Sequence, residues 1–202
     1  MEAEAISSEI SVQSPRRQVV AAYRTMLKRG LITGSAGNVS ARFEGGMLIT
    51  PTRVHPYDLR PDGVAISDLG GAFQLGAPSL EWRMHAEIYR RRPDVHAVVH
   101  THSPHAIARS FDASRLEVLT EERRYLQLDH IDVAHVAPAG SAELASVACD
   151  ALGAQPGVLL ARHGVLAVGN DPREAVEIAT TIEHQAQISL LLAGCAKPRL
   201  TH

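Results

Sequence analysis

The stretch HAVVHTHSPH, residues 96–105, constrains the fold more than any other part of the sequence. Its apolar core, AVV, predicts a buried β-strand that runs directly into His100 and His102. Alternate side chains of a strand point to the same face, so these two imidazoles lie on one face with their Cα atoms about 6.7 Å apart. That spacing lets both bind one metal ion. The chain must then fold so that further ligands reach the end of this strand.

A third histidine lies between two apolar segments in LLARHGVLAVG, residues 159–169. Taken alone, His163 is typical of a turn or core histidine, although a polar pair between buried segments is costly without partners. Combined with His100 and His102, it completes a set of three neutral imidazoles. Such a set with one open position is the usual arrangement of catalytic zinc. The sequence therefore predicts a metal site of these three residues.

Glu81, in PSLEWRMHAEIY, is predicted in the first turn of a helix that Ser79 caps. A glutamate there can simply complement the helix dipole. Beside a metal site, the same carboxylate is a natural acid/base group, because burial can move its pKa toward neutrality. His85, on the same predicted helix, lacks ligand spacing, and we expect it to have only a structural role.

An anion site is predicted around GSAGNVS, residues 34–40. Its small residues let backbone N–H groups crowd toward a phosphate or carboxylate, although a tight hairpin explains the same letters. The segment lacks the Lys-Ser/Thr pair of a P-loop. Thr52 and Ser79 can add hydroxyl donors and Arg53 a charge, unless Arg53 is a solvent-facing residue on a proline-rich loop.

Composition bounds the class of protein. The chain has 202 residues, 45% of them hydrophobic and 21% charged, with a formal net charge of -2. That charge argues against nucleic-acid binding, which needs excess Lys and Arg. No run approaches the roughly 18 apolar residues of a membrane span. Because the N-terminus has acidic residues and no apolar segment of signal-peptide length, we expect a cytoplasmic protein.

Helical patterns and short strands alternate along the whole chain. Many of the connections are too short for parallel crossovers, which need a dozen or more residues. We therefore predict one α/β domain over residues 1–202, with three α/β/α layers and a mixed, largely antiparallel central sheet. Residues 1–13 are expected to form a loose polar lead-in before a helix that starts at Ser14-Pro15.

Four motifs carry a resemblance to a known family. GSAGNVSARF, MLITPT, EWRMHAEIYRRRPDVHAVVHTHSPHA and LLARHGVLAVG occur in the order and spacing of the class II aldolase/adducin family. The similarity extends from about residue 14 to about residue 194, nearly the whole chain.

The resemblance implies a site and an assembly. It implies Zn²⁺, or another divalent transition metal, on His100, His102 and His163, with Glu81 as the catalytic acid/base. It also implies a homotetramer with active sites at subunit interfaces, where Tyr125 is the counterpart of a catalytic tyrosine from the neighbouring subunit. The residues implied to bind the substrate phosphate are Gly37, Asn38, Thr52 and Ser79.

The implied function is that of a class II aldolase, which reversibly cleaves a small ketose phosphate or related sugar acid through a metal-stabilised enediolate. A decarboxylase, epimerase or dehydratase on the same scaffold is an alternative, and so is a non-catalytic adducin-like interaction module.

The chain departs from the family pattern in three places. The family usually has Thr-Gly and Ser-Ser where this chain has Thr52-Arg53 and Ser79-Leu80. These changes leave open whether the bound anion is phosphate or carboxylate. The sequence also ends at His202, before the family's tail with a second catalytic tyrosine.

Overall fold

The computed structural model describes residues 2–112 and 114–194, with side chains from Ser14 onwards. Residues 1, 113 and 195–202 of the predicted domain lie outside the described residues. The helices are α1 (Glu2–Lys28), α2 (Trp82–Arg91), α3 (Pro104–Arg109), α4 (Arg123–Leu126), α5 (Ala142–Leu152) and α6 (Pro172–Gly194). The strands are β1 (Asn38–Phe43), β2 (Gly46–Ile49), β3 (Ala65–Asp68), β4 (Phe73–Leu75), β5 (Ala97–Thr101), β6 (Leu116–Glu117), β7 (His130–Ile131), β8 (Val133–Ala134), β9 (Gly157–Leu160) and β10 (Gly164–Gly169).

Eight strands form one central sheet in the order β4-β3-β2-β1-β5-β10-β9-β8. Every neighbouring pair is antiparallel except β8 and β9, which run parallel. Strands β6 and β7 form a separate antiparallel pair. The prediction of a mixed, largely antiparallel sheet is confirmed.

Helices cover both faces of the sheet, as the three-layer prediction required. Helices α1 and α6 pack with Ala97 and Val99 of β5 in one apolar cluster. Helices α2 and α5 pack with Val98 in the other cluster. Since side chains alternate between faces along a strand, His100 points to the same side as Val98. The metal-binding end of β5 therefore lies on the face that α2 and α5 cover.

The beginning of α1 differs from the prediction. The helix starts at Glu2, so residues 2–13 are helical and Pro15 lies inside the helix. The expected loose lead-in and the helix start at Ser14-Pro15 were wrong. Glutamate and alanine, which open the chain, are strong helix formers, and their propensity outweighs the missing N–H of a single proline. None of the helices in the described part of the chain is both long and apolar enough to cross a membrane.

Candidate metal centre and adjoining cavity

Four side chains converge at one end of the central sheet. Glu81, His100, His102 and His163 each offer a ligand atom, and these atoms all lie within 4.8 Å of one another. The three imidazole rings have centroids 4.7 to 5.0 Å apart. His100 lies in β5, His102 one residue beyond its end, and His163 in the turn between β9 and β10. Because β5 and β10 are neighbours in the sheet, sequence-distant histidines meet there.

Glu81 lies at a different helix position from the one predicted. Helix α2 begins at Trp82, so Glu81 is its N-cap residue and not part of its first turn, and its side chain makes no capping hydrogen bond. Ser79 does not cap the helix; its Oγ accepts a hydrogen bond from the Glu81 N–H at 3.3 Å. The Glu81 carboxylate turns instead toward the histidines, with Oε2 2.9 Å from His100 Nε2 and Oε1 3.4 Å from His163 Nε2.

The hydrogen bonds around the centre leave the candidate metal-ligand atoms facing a common point. His100 Nδ1 donates to the carbonyl oxygen of Val165 at 3.0 Å, which directs Nε2 toward the centre. There it lies 3.1 Å from Nε2 of His102. Glu81 Oε1 is buried and has no hydrogen-bond partner among the described residues. Crowded imidazole nitrogens beside an unpartnered carboxylate oxygen fit a bound divalent cation.

Electrostatics favour the ligand-competent protonation states. Burial raises the pKa of Glu81, but attraction to His100, with its hydrogen bond, and to His163 outweighs burial and lowers that pKa below its usual range. Burial, with repulsion from the other two histidines, lowers the pKa of His102 to about 4. Burial and repulsion from His100 also lower the pKa of His163. An ionised Glu81 with neutral His102 and His163 matches the protonation states that metal ligands need.

A cavity of about 240 Å³ opens beside the centre. Glu81, His102 and His163 form part of its wall. The predicted anion-binding residues also line it: Gly37, Asn38, Thr52, Arg53 and Ser79. The structure thus brings the predicted binding residues and two of the three predicted metal ligands to one small cavity, while His100 is fully buried beside it.

Two backbone positions in this wall lie in the left-handed region. Gly37 has φ +71°, and a Cβ atom there would lie 2.6 Å from the carbonyl oxygen of His100. The glycine is thus required by the close approach of two chain segments. Arg53 has φ +59°, a conformation that glycine favours. An arginine held there carries a conformational cost of about 1 kcal/mol.

Tyr125 does not approach the centre within this chain. It lies on α4, is 54% exposed, and lines another cavity beside Val95 and Gly169. Gly169 pairs with Ala97 at the start of β5, so that cavity is at the opposite end of the strand from His100. Its predicted role, in a neighbouring subunit's active site, stays a prediction.

His85 lies directly behind the centre, although the sequence indicated only a structural role. It is fully buried, and its Nε2 is 2.5 Å from Oδ1 of Asn38. Asn38 in turn places Nδ2 3.5 Å from Glu81 Oε2. The signal that could have revealed His85 is its spacing, since Glu81, His85 and Tyr89 lie four residues apart along one helix face.

Comparisons with known proteins find relatives over nearly the whole chain. A family model described as the class II aldolase and adducin N-terminal domain matches residues 17–190. A 5-methylthioribulose-1-phosphate/5-deoxyribulose-1-phosphate aldolase from Rhodospirillum rubrum is 34% identical over 186 residues, covering 92% of this chain and 84% of that protein. An L-fuculose phosphate aldolase from Haemophilus influenzae is 34% identical over 179 residues, covering 87% and 83%. The crystal structure of L-fuculose-1-phosphate aldolase from Thermus thermophilus superimposes with a TM-score of 0.81 at 34% identity, covering 91% of this chain and 97% of that one.

Proposed function

Because the chain belongs to the class II aldolase and adducin family, we propose that it is a zinc-dependent aldolase that reversibly cleaves a small ketose phosphate. The observation that carries the proposal is the convergence of Glu81 and three histidines beside a cavity that the predicted anion-binding residues line. The names of the two relatives support the substrate class, since both are aldolases of sugar phosphates.

The donor set supports zinc among the divalent metals. His100, His102 and His163 would hold the ion, and Glu81 is close enough to join them. Imidazole nitrogens with one carboxylate suit Zn²⁺, whereas Mg²⁺ and Ca²⁺ prefer oxygen ligands. Lewis acidity is the chemistry that the bound ion would supply, stabilising negative charge on substrate oxygens as the carbon–carbon bond breaks.

Glu81 is the residue proposed to move the proton. Its lowered pKa keeps the side chain ionised at neutral pH. In the condensation direction, the carboxylate accepts the proton from the carbon next to the ketone and passes it to the aldehyde oxygen, which becomes a hydroxyl. In the cleavage direction, the carboxylate first takes the proton of that hydroxyl as it becomes the aldehyde, and returns it to the carbon next to the ketone after the bond has broken.

The anion of the substrate is proposed to bind to the other residues that line the cavity. Thr52 and Ser79 offer hydroxyl donors, and the turn before Asn38 offers backbone N–H groups. Arg53 adds a guanidinium that can make a bidentate contact with phosphate or carboxylate. An arginine that keeps an unfavourable φ at a cavity wall is typical of a functional residue.

Arg53 also favours a second candidate, a metal-dependent lyase acting on a sugar acid. A guanidinium suits a substrate carboxylate as well as a phosphate. A decarboxylase, epimerase or dehydratase could use the same metal ligands on such a substrate. The cytoplasmic location and the homotetramer with Tyr125 at its interfaces stay predictions.

A substrate screen tests the proposal. Purified protein loaded with zinc is incubated with a panel of ketose 1-phosphates, and the aldehyde product is measured. Sugar acids form a parallel panel, in which release of carbon dioxide identifies a decarboxylase. His100→Ala serves as the metal-site control. We expect the parent protein to cleave a ketose phosphate and His100→Ala not to cleave it. A zinc-loaded protein that cleaves no ketose phosphate would refute the aldolase assignment.

A further inference from the structure

A row of buried polar side chains runs along the interface between α2 and β1, starting at the metal centre. Asn38 lies between Glu81 and His85. His85 Nδ1 is 2.7 Å from Ser40 Oγ, and Ser40 Oγ is 2.8 Å from the hydroxyl of Tyr89. His85 and Ser40 are completely buried, and Tyr89 is nearly so. The groups form one continuous chain of hydrogen bonds inside an otherwise apolar layer.

The row forms because the spacing of side chains along one face of the helix nearly equals the spacing along one face of the strand. Glu81, His85 and Tyr89 are spaced by four residues, which advances about 6 Å along a helix. Asn38 and Ser40 are spaced by two residues, which advances about 6.7 Å along a strand. The helix residues therefore alternate with the strand residues, and each side chain meets the next.

The hydrogen bonds can run in only one direction. Glu81 is ionised and only accepts, so the amide nitrogen of Asn38 must face it and the amide oxygen must face His85. That oxygen can only accept, so His85 donates from Nε2. Burial lowers the pKa of His85 to about 3, and the neutral ring must accept at Nδ1 from the Ser40 hydroxyl. Ser40 then accepts from Tyr89. Reversing any one bond would leave two acceptors or two donors facing each other.

We propose that His85, Ser40 and Tyr89 are positioning residues that fix the amide of Asn38, so that its nitrogen holds the Glu81 carboxylate and faces the substrate cavity. The proposal rests on the proposed function for its catalytic consequence, but the hydrogen-bond order itself does not depend on it. An Asn amide has two N–H groups. One is directed to Glu81, which leaves the other for the substrate, because Asn38 also lines the cavity.

The proposal predicts how substitutions along the row act. His85→Phe keeps an aromatic ring but leaves Asn38 free to rotate. Loss of a direct hydrogen-bond partner of a metal ligand typically lowers metal affinity or activity by about 10- to 100-fold. His85 acts one step further away, through Asn38, so we expect a loss at the lower end of that range. His85→Gln keeps a donor at the position of Nε2 and should recover most of that loss. Tyr89→Phe removes only the far end of the row and should have a smaller effect.

Gln185→Met supplies a matched control on the other face of the sheet. Gln185 is buried, donates to Thr120 Oγ1 at 2.7 Å, and accepts from the Leu119 N–H at 3.2 Å. Its replacement removes two side-chain hydrogen bonds, as His85→Phe does, but on the opposite face of the sheet from α2. We expect both variants to lose stability and only His85→Phe to lose zinc affinity.

Three measurements test the proposal. Nitrogen-15 NMR of the metal-free parent protein should show His85 protonated at Nε2 and bare at Nδ1. Competition with a chromophoric chelator should show at least about tenfold weaker zinc binding in His85→Phe, with recovery in His85→Gln. On a cleaved substrate, His85→Phe should lower kcat more than it changes KM.

The outcomes separate this proposal from the proposed function. The opposite tautomer of His85, or unchanged zinc affinity in a folded His85→Phe, overturns the positioning role. Equal loss of affinity in Gln185→Met overturns it as well, since the effect would then be general destabilisation. If the parent protein binds zinc but cleaves no ketose phosphate, the aldolase assignment fails while the tautomer and affinity results still decide the role of His85. If His85→Phe does not fold, the tautomer of His85 in the parent protein and the zinc affinity of His85→Gln decide whether His85 has the positioning role.

Discussion

Replacement of Arg53 by glycine should separate stability from substrate binding. Arg53 combines an unfavourable φ of +59° with a place in the cavity wall. Arg53→Gly therefore relaxes the backbone and removes the guanidinium in a single change. If the arginine is kept for its contact with the substrate anion, the variant should be at least as stable as the parent and markedly less active.

Both effects have an expected size. Relief of the left-handed conformation is worth about 1 kcal/mol, partly offset by the greater freedom of glycine in the unfolded chain. The net gain lies between zero and about 1 kcal/mol, which for a chain of this size raises Tm by at most about 4 °C. Loss of one charge-assisted contact costs about 1.5–3 kcal/mol, or roughly ten- to hundredfold in kcat/KM. Most of that loss should appear in KM, as uniform binding energy requires.

Steady-state kinetics and thermal unfolding of the same preparations measure both quantities. Arg53→Lys keeps the charge without the planar fork and should recover only part of the lost kcat/KM. Arg60→Ala removes a highly exposed arginine close in the chain and serves as the charge control. Unchanged kcat/KM in Arg53→Gly would return Arg53 to a solvent-facing role. A fall in Tm of several degrees would refute the argument from backbone strain.

Three further predictions concern the metal, the proton and pH. Metal analysis of the parent protein should find about one zinc ion per chain. Most of this zinc should be lost in His100→Ala and His163→Ala but kept in the control His96→Ala. Full zinc occupancy in the first two variants would exclude the three-histidine site. At saturating metal, Glu81→Gln should still hold about one zinc ion per chain, because the three histidines remain, while turnover falls by about 10² to 10⁴, the usual worth of general acid/base catalysis. Near-normal turnover would assign the proton to another group. Burial lowers the pKa of His85 to about 3, against about 6.5 in an unfolded chain. As the pH falls, the unfolded state therefore binds the proton first, and the free energy of unfolding decreases. Urea unfolding of the metal-free protein should show this decrease between about pH 6.5 and 3, by up to about 1.4 kcal/mol per pH unit from this group. An identical decrease in His85→Gln would contradict the prediction.

The metal centre was largely predictable because its signal is local. His100 and His102 carry the spacing of alternate strand residues, and His163 follows a second apolar strand. The prediction of the metal site did not depend on the exact end of the strand. Strand β5 ends at Thr101, one residue before His102, and His102 still joins the cluster. The same strands, read with their short connections, were enough to predict a mixed antiparallel sheet.

Features that depend on the register between distant elements were not predictable. The hydrogen bonds on which the proposed role of His85 rests form only when α2 lies against β1 with Ser40 and Asn38 opposite. Helical spacing says which residues share a face, but not which strand residues that face meets. The start of α1 was predicted wrongly for a different reason. Pro15 was taken to mark the start of the helix, although good helix formers precede it in the sequence.

The long separation of the metal ligands along the chain has a consequence for biogenesis. His163 follows β9, whereas His100 and His102 end β5, and these segments meet only when β10 pairs with β5. An unfolded or newly synthesised chain therefore offers only the His100-His102 pair of this site close together in the chain. On the proposed function, metal capture would come late in maturation, after β10 has paired with β5. In a cell with scarce free zinc, misfolded copies would not withdraw metal from functional ones.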